Sequence, residues 1–169
     1  MFKFLKYAID WFVLFTIYKK WFYPKTKTYN FNKKLVFNLF CIYIALVISI
    51  TLMPIVVSLP NIIFEPYIPM YMVLFGDILS AHFGAVQQLI LNILLTIPLG
   101  IFLPYLYKTN FIKTTSYTFM LSLTIELVQP LLHLYRSSDI NDIVTNTLGG
   151  IIGYLCYQMI LKIRKEKLS

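Results

Sequence analysis

The chain has 169 residues, 59% hydrophobic and 13% charged, with a mean hydropathy of +0.72. Soluble domains carry about 45–50% apolar and about 25% charged residues, so a water-soluble globule is excluded: its core could not hide 14 Phe and 13 Tyr beside the Ile and Leu. The net charge of +8 does not indicate a nucleic-acid partner, because the basic residues stand in short blocks at the ends of apolar segments, the pattern of membrane topology signals.

The pattern predicts an all-α, polytopic membrane helical bundle, one domain over residues 1–169. At its start, residues 1–30 carry Phe2, Leu5, Ile9 and Phe12 at helical spacing, with Lys3, Lys6 and Asp10 on another side. This reads as an N-terminal amphipathic helix on the cytoplasmic surface, anchored by Trp11, Tyr18, Trp21 and Tyr23. The apolar run from Tyr7 to Tyr18 leaves a fifth spanning helix as the alternative. Lys19-Lys20 stands where a signal peptide would need small residues.

Four later segments have the roughly 20 apolar residues that a transmembrane helix needs: 35–59, 87–107, 114–134 and 140–161. With four spans, Lys25, Lys27, Lys33, Lys34, Lys108, Lys113, Lys162, Arg164, Lys165 and Lys167 fall on one side, and Arg136 alone on the other. The positive-inside rule then makes both termini cytoplasmic in a multi-pass cell-membrane protein. The connection from Pro60 to Val86 is rich in Phe, Tyr, Met and Ile, so it is expected in the interface or re-entering among the helices. Cys41 and Cys156 are far apart within apolar runs and read as small hydrophobes, not a disulfide.

Residues 126–150, ELVQPLLHLYRSSDINDIVTNTLGG, break the apolar pattern. Glu126, Gln129, His133 and Arg136 recur at helical spacing, as do Asp139, Asp142, Asn146, Gly149 and Gly153, so each set lines one helix face. A hairpin with a tight turn at Ser137-Ser138 would set Arg136 opposite Asp139, His133 opposite Asp142, Gln129 opposite Asn146 and Glu126 opposite Gly149. Glu126 would then lie about 15 Å below Arg136, deep in hydrocarbon. An ionised carboxylate on a lipid-facing surface there costs at least about 2.5–3.5 kcal/mol, so Glu126 must face the bundle. Pro130 has no N–H for the Glu126 carbonyl, leaving a free acceptor beside the acid. Gln88, Asn92, Thr96 and Gly100 form a third, weaker stripe in the 87–107 segment.

Plainer readings stand beside this one. Asp139 and Asp142 suit the start of a helix, where carboxylates cap free N–H groups. Asn92, Gln129 and Asn146 suit interhelical hydrogen bonding, and the glycines suit close helix approach. His133 reads as an interfacial or supporting residue. Arg136 is one of only two arginines among 15 basic residues, which suggests that its planar fork is needed, either to clamp an Asp or to hold a phosphate or carboxylate. No metal motif and no cofactor is expected.

NILLTIPLGIFLPYL (Asn92 to Leu106) followed by residues 121–155 resembles the VanZ-like family. The matching positions are Asn92, Pro98, Leu99, Gly100, Glu126, Gln129, Arg136, Asp139, Asp142, Asn146, Thr147 and Gly149. The resemblance implies an association with resistance to teicoplanin-type lipoglycopeptide antibiotics. Two functional classes then compete. In the first, Glu126, Gln129, Arg136, Asp139, Asp142, Asn146 and Asn92 bind a membrane lipid, a lipid-linked cell-wall precursor or the lipoglycopeptide itself. In the second, a membrane enzyme acts on a lipid phosphate or acyl group, with Glu126 as general acid or base and Asp139 and Asp142 holding a metal or orienting water. The first is preferred, because no span offers an obvious nucleophile or metal motif. A proton-coupled transporter is disfavoured by the lack of an inverted repeat.

Overall fold

A computed structural model of the chain describes residues 2–60, 62, 66–79, 83–132 and 138–167, and the side chains of all of these except 2–4. His133 and Arg136, both assigned to the polar face above, lie outside the described residues. The architecture is all-helical, with no strand among the described residues. The long helices are α1 (Phe2–Ile17), α2 (Phe31–Thr51), α3 (Ala85–Tyr107), α4 (Phe111–Leu132) and α5 (Ile140–Glu166).

Among the described residues, three helical stretches are long and apolar enough to cross a membrane: Phe31–Ser58, Ala85–Tyr107 and Ile140–Glu166. The 22-residue α4 has the length as well, but Thr, Ser, Glu126 and Gln129 dilute its apolar character. Side-chain caps start α2, α4 and α5: Asn30 accepts from the Lys33 N–H at 3.0 Å, Asn110 from Lys113 at 2.9 Å and Asp139 from Asn141 at 2.8 Å. Pro98 and Pro104 do not break α3.

Two compact units are distinguished, Met1–Pro69 with Val128–Ser137, and Met70–Leu127 with Ser138–Ser169. In the first, α2 does not run unbroken across 35–59 as expected. It ends at Thr51, and after a cis Met53-Pro54 bond the chain resumes as a short helix, Ile55–Ser58. Proline explains the break, since it cannot donate to the ladder and forces the residue before it out of the α region.

The break is satisfied by side chains. Buried Asp10 of α1 accepts from the Ile55 and Val56 N–H groups at 2.8 and 3.0 Å. That leaves the Thr51 carbonyl without its helical donor, and the Gln129 amide supplies one at 3.1 Å. At the other end of the pair, Tyr18 donates to Asn38 at 3.0 Å, and Phe22 packs on Phe37. Helix α1 and its π-helical continuation, Tyr18–Phe22, therefore run antiparallel along α2. Large apolar residues of α1, including Leu5, Ile9, Trp11, Phe12 and Phe15, are exposed around it, while its one acid points inward.

In the second unit α3 and α5 meet along small residues. A Cβ on Gly100 would overlap the Gly150 carbonyl, and one on Gly149 or Gly153 would overlap the Ile93 or Ile97 carbonyl. Gly150 instead faces the buried Thr118 of α4. These glycines let the backbones approach to a distance that side chains would forbid, the packing mode that replaces the hydrophobic effect inside lipid.

Candidate functional site

The stripe on α3 appears as the sequence suggested. Asn92 donates to Asp142 Oδ1 at 2.7 Å, and Gln88 reaches the same oxygen at 3.4 Å. One turn on, Thr96 donates to the Asn146 carbonyl at 2.6 Å, and Gly100 then makes the close backbone contact. Each member of the stripe is matched to a residue of α5.

The pairing of α4 with α5 differs from the expected hairpin. Asn146 donates to Ser122 at 2.9 Å, not to Gln129, which is committed to Thr51. The register is therefore displaced by seven residues, about two helical turns. Glu126 does not face Gly149, which abuts α3. Its carboxylate accepts from the Asp139 N–H at 3.0 Å, at the first turn of α5. The cause lies in Pro130. It leaves the Glu126 carbonyl without a helical donor, and the Ser138 hydroxyl donates to that carbonyl. A tight turn at Ser137-Ser138 would have carried Ser138 past the end of α4. Instead Ser138 is drawn back level with Glu126.

Consequently Glu126, Asp139, Asp142, Asn146 and Asn92 gather around the start of α5, where α3 also begins and α4 approaches its end. Glu126 is 1% exposed, so its N–H partner at the α5 terminus matters: a carboxylate there meets both an unsatisfied donor and the positive end of the helix dipole. Asp139 caps α5 through Asn141, as its plainer reading anticipated. Asp142 holds α3. Asn146 Oδ1 is buried and has no hydrogen-bond partner among the described residues.

Sequence reasoning missed Asn141. Its side chain accepts from the Phe75 N–H at 2.7 Å and donates to the Val73 carbonyl at 3.2 Å and to Asp139 at 2.8 Å. Tyr71 pairs its main chain with Ser138 and Ile140 at 2.8 and 3.1 Å. The apolar connection is thus pinned over the start of α5, with Met72, Val73, Leu74 and Phe75 exposed. Phe75 is held there at φ 54°, a left-handed conformation that is costly for an aromatic residue. The sequence also offered Thr114, Thr118, Ser122 and Glu126, four apart and all buried, as a second α4 stripe. Small hydroxyls are easily read as filler in a membrane helix, although Thr118 and Ser122 are what faces α5.

Asp77, Gln88, Asp139, Asn141 and Asp142 line a cavity of about 20 Å³, room for one water. Among the described residues, no group of three or more His, Cys, Asp or Glu is placed to hold a metal ion.

The model of the VanZ/LLP1 family matches residues 7–162. The chain belongs to the VanZ/LLP1 family. It is also similar to protein VanZ of Enterococcus faecium, 32% identical over 85 residues. That match covers 50% of this chain and 52% of the relative, so about half of the relative's length is spanned. No solved structure matches. Family membership and the apolar helices together make this a membrane protein, and the family match extends over both units.

Proposed function

We propose that this VanZ/LLP1 protein is a multi-pass envelope protein that modulates sensitivity to teicoplanin-type lipoglycopeptides. It does so by holding an anionic lipid or a lipid-linked cell-wall molecule at an outward-facing polar site in the second unit. The observation that supports this most is the convergence of Glu126, Asp139, Asp142, Asn92 and Gln88 at one helical end, while the seam beyond it is built of glycine and threonine. Interhelical glue alone would not need three carboxylates there, since polar pairs in membranes average only about 0.6 kcal/mol.

The cluster is rich in acceptors and amides, which suits the hydroxyl and amide groups of a glycan-type headgroup. Arg136, three residues before Asp139, supplies the cation for a phosphate or carboxylate. The space among these side chains has room only for water, so a headgroup would bind across the mouth and not inside the helices.

The membrane arrangement has five crossings, α1 to α5. The Asp10 bonds to the short helix after α2, and the Tyr18 bond to Asn38 in the first half of α2, favour the spanning alternative over a surface helix, and about 21 residues from Phe2 to Phe22, flanking lysines included, rise about 30 Å. Twelve of the 15 basic residues then lie inside, leaving Lys3, Lys6 and Arg136 outside. The C-terminus is cytoplasmic, the N-terminus external, and the polar mouth outward.

Teicoplanin susceptibility of a sensitive host tests the function. Wild-type protein should raise resistance, and Arg136→Lys should remove most of that gain at equal membrane levels. Full resistance with Arg136→Lys and with Asp142→Asn, both normally expressed, would sink the site reading.

A further inference from the structure

The first unit contains a second feature, unconnected with the polar cluster. Between α1 and α2 runs a groove of about 550 Å³, within the roughly 300–1,000 Å³ typical of ligand sites. Trp11, Phe15 and Phe22 form one wall, and Cys41, Ala45 and Ile48 the other. The lining is nearly all apolar, so within a membrane it is a place for hydrocarbon and not for water.

Its two ends differ in charge. At the far end the one acid, Asp10, is buried and engaged by the Ile55 and Val56 N–H groups. At the other end Tyr18 closes on Asn38, and lysines crowd the rim. The Lys19 ammonium lies 5.6 Å from the centre of the groove-lining Phe15 ring, and that of Lys25 lies 5.7 Å from the groove-lining Phe22. Lys33 stands 4.4 Å from Tyr29, whose ring packs on Phe37 beside Phe22. Lys20, Lys27 and Lys34 add charge in the same segments. An apolar trough with a cationic rim at one end has the polarity of a single amphiphile: hydrocarbon along the helices, anion at the lysines.

We infer that the α1–α2 groove is a binding site for an anionic phospholipid of the cytoplasmic leaflet, its acyl chain between Trp11 and Ala45 and its phosphate at Lys19 and Lys25. The inference rests on α1 crossing the membrane, as proposed above, but not on the ligand of the polar mouth. Each basic residue near an anionic surface contributes about a fivefold change in binding, so the two lysines over the groove give real headgroup selection.

Trp11 reports on the site directly. There are two tryptophans, so Trp21→Phe leaves Trp11 alone. The full chain carrying Trp21→Phe is reconstituted in phosphatidylcholine vesicles, and Trp11 quenching by acyl-brominated phosphatidylglycerol is compared with quenching by acyl-brominated phosphatidylcholine. The expected result is a preference for phosphatidylglycerol of about fivefold if one lysine engages the headgroup and about 25-fold if both do. Adding Lys19→Gln and Lys25→Gln should erase the preference, and Ala45→Phe should reduce specific quenching by filling the groove. Both lysines are exposed, so their replacement leaves packing intact and keeps the test decisive even if Ala45→Phe folds poorly. Equal quenching by the two lipids, or a preference that survives the lysine changes, overturns the inference. So does quenching that grows as protein is diluted in lipid, which would place a second copy of the chain in the groove. External labelling of Lys6→Cys reports separately whether α1 crosses.

Discussion

Asp10 and Glu126 are both buried carboxylates that accept main-chain N–H groups. Asp10 supplies the acceptors that the Ile55 and Val56 N–H groups lost at the proline break. Glu126 accepts the Asp139 N–H at the start of α5, and its own carbonyl, freed by Pro130, is taken by the Ser138 hydroxyl. Asp10→Ala should therefore destabilise the first unit by about 1–3 kcal/mol, the cost of leaving buried donors unsatisfied, whereas Asp10→Asn retains one acceptor and should cost less. Denaturant titration of the detergent-solubilised variants checks the order. Asn92→Leu removes the 2.7 Å bond to Asp142 and should cost up to about 1.7 kcal/mol, the largest values found for interhelical polar pairs. If Asn92→Leu keeps its stability but loses antibiotic protection, Asp142 serves a ligand as well as a helix partner.

Helix α3 was legible from the sequence almost residue by residue, because Gln88, Asn92, Thr96 and Gly100 keep the four-residue spacing that any straight helix presents on one side. The register of α4 against α5 was not. It depends on where α4 stops and on the Ser138 hydroxyl being recruited by the Glu126 carbonyl, and periodicity carries no information about either. Asn141 escaped for a related reason: its partners, Val73 and Phe75, are main-chain groups of a distant connection. The seam makes a sharp element-scale prediction. Gly100→Ala and Gly153→Ala each place a methyl group against backbone of the facing helix, which cannot move like a side chain. Each should lower stability by about 1–3 kcal/mol. Ala on the solvent or lipid side, at Val86 for example, should be nearly neutral. Unchanged unfolding of both glycine variants would mean that α3 and α5 do not pack this closely.

At the scale of the whole chain, composition alone identified a membrane protein, and the apolar runs located the long helices. The fate of residues 1–30 was not readable, because one acid and two lysines within an apolar run suit either a surface helix or a span whose acid is internally satisfied. The Asp10 contacts favour the span. An impermeant thiol reagent applied to intact cells should therefore label Lys6→Cys in a cysteine-free background and spare a cysteine at Lys165. Protection of Lys6→Cys until lysis would restore the surface helix. The central claim concerns the outward polar mouth, and native mass spectrometry of the purified protein tests it most directly. Wild-type protein is compared with Glu126→Gln and Arg136→Ala. The account predicts a copurifying anionic lipid or lipid-linked precursor on the wild type that both variants lose while remaining folded. A wild type carrying no such molecule under conditions that keep other lipids bound, or variants that retain it fully, would contradict the account.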